Sequence, residues 1–327
     1  MATTQLNDAL VVITGASSGI GRCAAHEFAR HGARLVLAAR DDAALACVVE
    51  ECEQLGACAL AVPTDVTRNE AMENLAERAA AFGEGRIDVW VNNAGVGAVG
   101  CFEDTPLAAH EQVVQTDLLG YLRGAYVVLP YFKNQTTGVL INTLSLGSWV
   151  AQPYAAAYSA AKYGLRGLTE ALRGELASWP NIHVCDIYPA VMDTPGFRDG
   201  GNFTGHELSP PPPRYDPQRV AEAMVEMALS PRPSRTVGSA ATLLRLGHFL
   251  LPGFAKISGL IVGRALKRGQ RTQHSTGNLF QPPSGERRID GGWRAQSSAQ
   301  PVPMLLAGTA AALLLGWGLR RLRKSSG

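Results

Sequence analysis

Tyr158 and Lys162 stand four residues apart in a stretch, 155–178, that reads as a long helix, so a phenol and an ammonium share one face about one turn apart. A free phenol has a pKa of about 10, too high for ready proton transfer near neutrality. A neighbouring ammonium stabilises the phenolate and moves that value toward the useful range. Ser145 lies thirteen residues before Tyr158, just past a predicted strand at 138–143, and adds a hydroxyl able to donate to a substrate oxygen. The three side chains suit proton transfer at a carbonyl or alcohol oxygen. A tyrosine–lysine spacing on its own is usually incidental, and its weight depends on what surrounds it. Ser148 and Ser159 lie nearby without that interval, and Tyr154 and Tyr163 read as packing residues.

Reducing a ketone also needs a hydride at carbon, and the chain offers a place for a hydride carrier near its start. TGASSGIG, residues 14–21, falls between a predicted strand and a predicted helix. Gly15, Gly19 and Gly21 allow a tight turn and close backbone approach to a pyrophosphate, while Ser17, Ser18 and Ile20 lie on the turn. The helix start presents free N–H groups and the positive end of its dipole. An ordinary glycine-rich turn is the alternative, and the strand–turn–helix setting favours a dinucleotide.

The elements that must position these groups follow a regular rhythm. Short apolar runs at 9–14, 34–39, 59–63, 87–91, 138–143 and 181–188 alternate with helical patterns of ten or more residues. That alternation predicts an α/β fold with a doubly wound parallel sheet between two helical layers. One helix is expected over about 106–131. The glycine- and proline-rich excursion 195–217 is a candidate lid, and the sheet domain is expected to span 1–238.

Three motifs in order, the glycine turn at Thr14–Gly21, NNAG at Asn92–Gly95 and YxxxK at Tyr158–Lys162, resemble the short-chain dehydrogenase/reductase family over roughly residues 7–238. The resemblance implies a Rossmann-type fold, an NAD(H) or NADP(H) coenzyme, and hydride transfer between nicotinamide and a carbonyl or secondary alcohol. It assigns Ser145, Tyr158 and Lys162 as catalytic residues, Tyr158 and Lys162 touching the coenzyme as well. Asp117 stands where the family usually has an asparagine that helps order a water linked to the lysine. A carboxylate there can pair with Lys162 instead, so Asp117 is expected as a modified fourth member.

NAD-preferring enzymes place a carboxylate at the end of the second strand, whereas a 2′-phosphate requires a cation. Here Ala39 holds the carboxylate position and Arg40 follows, so NADP(H) is expected over NAD(H), with Arg40 forked onto the phosphate. Asp41 and Asp42 read as the start of the next helix. The resemblance places Asp65 beside the adenine, although it also reads as a helix N-cap, and gives Val66 a backbone contact. It has Asn92, Ala94 and Gly95 both support the central sheet and pass beside the coenzyme, and sets the Val191 backbone against the carboxamide and Thr194 against the carboxamide or phosphates. Ala190 replaces the family's usual glycine in that last stretch. Relatives are often homo-oligomers. A coenzyme-binding sensor or scaffold without catalysis is the alternative of another class. An epimerase or dehydratase of the same fold ranks last.

Composition narrows the rest. The chain has 327 residues, 46% of them apolar, and a net charge of +2, which supports a sizeable core and argues against a dedicated nucleic-acid binder. Six singly scattered cysteines give neither zinc spacing nor a disulfide framework. No basic leader precedes the first strand, so a cytoplasmic catalytic domain is expected. Residues 239–271 form an apolar and basic helical extension, 272–300 a polar linker, 301–319 an uncharged run of transmembrane length, and 320–327 a basic tail. These features predict membrane association through the C-terminal helix. The basic cluster favours the cytoplasmic side, where the catalytic domain also belongs. Either a short tail translocates or the helix lies shallow in the interface. An apolar substrate is expected.

Overall fold

The computed structural model describes residues 6–250 and 254–294. The first half runs β1 (Leu10–Thr14), α1 (Gly19–Arg30), β2 (Arg34–Ala39), α2 (Asp42–Gln54), β3 (Ala59–Pro63), α3 (Asn69–Phe82), β4 (Val89–Asn92), β5 (Ala98–Val99), α4 (Leu107–Val114) and α5 (Gly120–Gln135). The second runs β6 (Gly138–Thr143), α6 (Ala156–Glu175), β7 (Ile182–Pro189), α7 (Gly196–Asp199), β8 (Gly201–Asn202), α8 (Gln218–Leu229), β9 (Ser234–Val237), α9 (Ser239–Leu250) and α10 (Phe254–Leu266). Seven strands form one parallel sheet in the order β3-β2-β1-β4-β6-β7-β9.

The apolar strands are continuous because both faces are covered. In β1, Val11 and Ile13 join a core built with α1, α2 and α8, while Leu10 and Val12 join the opposite core built with α3 and α5. β2 repeats the division, with Leu35 and Leu37 on one side and Val36 and Ala38 on the other. The chain order reverses on either side of β1, which pairs with β2 and β4. In open α/β sheets the crevice at the strand ends beside such a reversal is where ligands bind.

Several elements depart from the sequence expectation. The helix expected over 106–131 is interrupted at Gln115–Leu119 by a π-helical turn, which carries Asp117; such turns are frequent at functional sites. The excursion 195–217 is partly regular: β8 pairs with β5 in a small second sheet, and Met192 bridges to Tyr215. The strand β9 has no clear apolar signal, because three of its four residues are partly or fully exposed at the sheet edge. Residues 272–294, expected as linker, pack back across the domain. Their first anchors are the antiparallel bridge Asn202–Ser275, which follows a His206–Arg271 bridge just before the segment, and an Asn278 N–H donating to the Asp199 carbonyl at 2.7 Å. Among the described residues no helix is long and apolar enough to cross a membrane. The apolar run 301–319 lies outside the described residues.

Candidate active site

The turn after β1 is built around glycines. Gly15 sits at φ 68° and Gly19 at φ 54°, conformations that side chains rarely adopt. A Cβ on Gly21 would lie 2.1 Å from the Gly15 carbonyl oxygen, so the first turn of α1 closes onto the loop only because that atom is missing. NNAG is tied to this turn by two side chains. Thr14 Oγ1 accepts from the Asn93 and Ala94 N–H groups at 3.0 and 3.2 Å, and Asn93 Nδ2 donates to the Thr14 carbonyl at 3.1 Å.

A cleft of ≈ 410 Å³ opens over the strand ends. It is lined by Gly15, Ser17, Ser18, Gly19, Ile20, Arg40, Asp65, Val66, Ala94, Gly95, Val191 and Thr194, together with Asp117, Ser145, Tyr158 and Lys162. Two residues assigned to the coenzyme are not among its lining. Gly21 packs inside the turn. Asn92 is buried within the sheet, accepting from Trp90 Nε1 at 2.8 Å and donating to Asn142 Oδ1 at 3.0 Å. Its neighbour Asn93 lines the cleft instead, because alternate residues of a strand end point to opposite faces.

Lys162 is buried, and oxygens surround its Nζ: it donates to the Thr143 carbonyl at 3.2 Å and the Tyr121 hydroxyl at 3.4 Å, and lies 3.3 Å from Asp117 Oδ2. A buried ammonium stripped of its partner would cost about 3–5 kcal/mol, so this shell is what keeps the charge in place. The ammonium lies 5.7 Å from the centre of the Tyr158 ring. Asp117 is buried as well, its Oδ1 accepting from the Val96 N–H at 2.8 Å. Burial pushes the Asp117 carboxyl above the usual carboxylate range, against the pull of Lys162 and the Val96 N–H.

Burial also raises the Tyr158 phenol above its ordinary value. Lys162 and a hydrogen bond from Ser145 pull it down, while Asp117 and Tyr121 push it up. The spacing alone predicts a lowered phenol; in the folded protein, desolvation and the nearby carboxylate outweigh the ammonium. Ser145 Oγ accepts from the Gly147 N–H at 3.0 Å, which fixes its orientation. Ser159 is used elsewhere, accepting from the Gln152 N–H at 2.8 Å, and the Tyr163 hydroxyl donates to the Trp149 carbonyl at 2.6 Å.

At the far end of the cleft Arg40 is held by the C-terminal segment: its Nη1 donates to the Leu279 carbonyl at 3.1 Å and its Nη2 to the Asn278 carbonyl at 2.6 Å. Asp41 caps α2, accepting from the Ala44 N–H at 3.1 Å. Asp65 is no helix cap, since α3 starts later, at Asn69; it accepts from the Thr67 N–H and hydroxyl at 2.9 and 2.7 Å. Two contributors escaped the sequence. Tyr121, four residues after Asp117, offered no signal beyond that helical spacing, and Arg287 belongs to a segment without periodicity.

A family model described as short chain dehydrogenase matches residues 9–201. An uncharacterised oxidoreductase of Bacillus subtilis is 33% identical over 253 residues, 76% of this chain and 70% of its own. A 3-dehydrosphinganine reductase of Danio rerio is 32% identical, covering 69% of this chain and 70% of its own. Among solved structures, an alcohol dehydrogenase of Thermococcus sibiricus complexed with 5-hydroxy-NADP superposes with TM-score 0.62 at 26% identity, over 72% of this chain and 98% of its own. A 3-ketoacyl-(acyl-carrier-protein) reductase of Brucella melitensis complexed with NADH gives 0.63 at 26% identity, over 71% and 98%. With the glycine turn, the parallel sheet and these relatives in agreement, the chain belongs to the short-chain dehydrogenase/reductase family and is an oxidoreductase of CH–OH and C=O groups.

Proposed function

We propose that the protein is an NADP(H)-dependent reductase or dehydrogenase of an apolar, long-chain carbonyl or secondary alcohol. The observation that carries this reading is one cleft that holds both the glycine turn and the Ser145–Tyr158–Lys162 cluster. The donor set suits a dinucleotide: hydroxyls of Ser17 and Ser18 and the backbone of Ile20 for the pyrophosphate, Asp65 and Val66 for the adenine, and Val191 and Thr194 for the carboxamide end. When bound, the nicotinamide supplies or accepts the hydride.

The chain's own residues do the rest. Ser145 donates a hydrogen bond to the substrate oxygen and holds it beside the Tyr158 hydroxyl. Tyr158 gives its proton to that oxygen in reduction and takes it in oxidation. Lys162 favours the phenolate that remains, and Asp117 moderates that effect. Leu144, Leu146, Met192, Phe197 and Leu208 add apolar lining to the cleft, and relatives named as 3-dehydrosphinganine and 3-ketodihydrosphingosine reductases point the same way.

The apolar substrate suits a membrane-associated enzyme with its catalytic domain in the cytoplasm. α9 and α10 expose Leu246, Phe249, Leu250, Ile257 and Leu260, with Arg264, Lys267 and Arg268 following. That pairing of apolar and basic side chains suits a lipid surface. Replacing Tyr158 with Phe tests the catalytic assignment. Turnover over a panel of long-chain ketones should fall to background while NADPH still binds. A variant with near-normal turnover would remove Tyr158 from the chemistry, and a wild-type protein that binds NADPH but reduces none of the panel would favour a sensor.

A further inference from the structure

Residues 278–294 form a strap across the mouth of the coenzyme cleft. Arg40 holds its start, as described above. The Gly19 N–H donates to the Arg288 carbonyl at 2.8 Å, and Arg22 donates to the Arg287 carbonyl. Its end is fixed on Asp193, whose carboxylate accepts from the Gly291, Trp293 and Arg294 N–H groups at 3.1, 3.0 and 2.9 Å. Between these anchors Arg287 lines the cleft together with Ser18, Arg40 and Asp41. Its Nη2 lies 2.6 Å from Asp41 Oδ2, and its guanidinium is largely buried.

Asp41 follows Arg40 directly. An uncompensated carboxylate here would repel a 2′-phosphate and would accept from a ribose 2′-OH, which is the chemistry that selects NAD(H). Arg287 cancels that charge. Burial lowers the Arg40 pKa most, the Asp65 charge works against it, and the Arg287 guanidinium lies close enough to lower it further. Arg40 and Arg287 face two carboxylates here, Asp41, which Arg287 pairs, and Asp65, whose charge acts on Arg40, so without Arg287 the carboxylates would outnumber the cations.

We propose that Arg287, delivered by the C-terminal strap, is a coenzyme-specificity residue: it neutralises Asp41 and, with Arg40, makes this end of the cleft accept the adenosine 2′-phosphate. The inference rests on the NADP(H) reading above and names the residue that enforces it. Phosphate recognition here is split between a strand end and a segment more than 240 residues later in the chain.

The test is a fluorescence titration of the full chain with NADPH and with NADH, for wild type, Arg287→Ala and the double variant Arg287→Ala/Asp41→Asn. The alanine variant keeps the backbone carbonyl that Arg22 uses and every other strap anchor, and asparagine is as good an N-cap for α2 as aspartate. Charge-assisted contacts of this kind are worth about 1.5–3 kcal/mol, so Arg287→Ala should weaken NADPH about 10- to 100-fold. NADH affinity should hold or improve, and the double variant should recover much of the NADPH loss. Equal weakening of both coenzymes, or no recovery on removing the Asp41 charge, would reduce Arg287 to a strap anchor and overturn the proposal. A wild type that shows no preference for NADPH would overturn the NADP(H) reading itself, and the role of Arg287 with it.

Discussion

At the scale of single residues, the proposed proton chemistry turns on the balance between two opposite charges beside one phenol. Lys162 lowers the Tyr158 pKa and Asp117, 3.3 Å from the ammonium, raises it. Asp117→Asn removes the opposing charge while keeping a side-chain oxygen for the Val96 N–H. The Tyr158 pKa should then fall. In the reductive direction, where the protonated phenol is the acid, the rate declines as pH rises through that pKa, so the declining limb should move to lower pH. In the oxidative direction the rising limb should move the same way. pH–rate profiles of kcat in both directions check this, and limbs that stay in place would mean that the Asp117 carboxyl carries no charge in the working enzyme.

At the scale of elements, the first βα turn is the most tightly constrained piece of the site. A methyl group on Gly21 would meet a backbone oxygen at 2.1 Å and Asn93 Nδ2 at 2.6 Å. A backbone atom cannot rotate away as a side chain can, so Gly21→Ala has to displace α1 or the loop. Overpacking of this kind typically costs about 1–3 kcal/mol. The expected result is a lower melting temperature together with weaker coenzyme binding, since the same displacement moves Gly19 and Ile20; calorimetry and NADPH titration read the two separately. An unchanged melting temperature would show that the turn yields more easily than its geometry implies. The strap is the second constrained element. Burial works against the Asp193 charge, yet the Arg294 and Trp293 N–H groups and the Arg294 guanidinium hold its carboxyl below the usual value. That contribution to docking is complete above the ordinary carboxylate pKa and is lost as pH falls through the lowered one.

At the scale of the whole molecule, α9 and α10 expose large apolar side chains. Phe249 is 86% exposed, and Leu246, Leu250 and Leu260 are more than half exposed. Deleting residues 300–327 should release the protein from membranes if the apolar run 301–319 is the main anchor, with any residual binding due to α9 and α10. Fractionation and vesicle flotation of the full chain, the truncated chain and a truncated Phe249→Ser variant separate the two contributions. A truncated chain that stays fully bound would move the anchor to the α9–α10 pair. Full release of both shortened forms would assign it to the tail.

Local chemistry is legible in a linear chain wherever spacing carries it. Helical spacing put Tyr158 and Lys162 on one face, glycines marked the turn before α1, and runs such as LVVIT and RLVLAA announced strands covered on both faces. What depends on neighbours distant in the chain was not legible. Asn92 and Asn93 are adjacent and identical, and only the pleat of β4 and the packing of Trp90 and Asn142 decide which is buried and which meets the cleft. Desolvation sets the direction of the Tyr158 shift, and burial is a property of the assembled fold. The polar segment 272–294 has no periodicity, because its order comes from carbonyls and N–H groups bonding to Arg40, Gly19 and Asp193 rather than from a face of its own. Sequence thus determined the fold class and the candidate reacting groups, through short-range geometry and hydrophobic pattern. Tertiary structure alone decided which charges meet in the cleft and which distant segment packs along it, because those contacts join residues that only folding brings together.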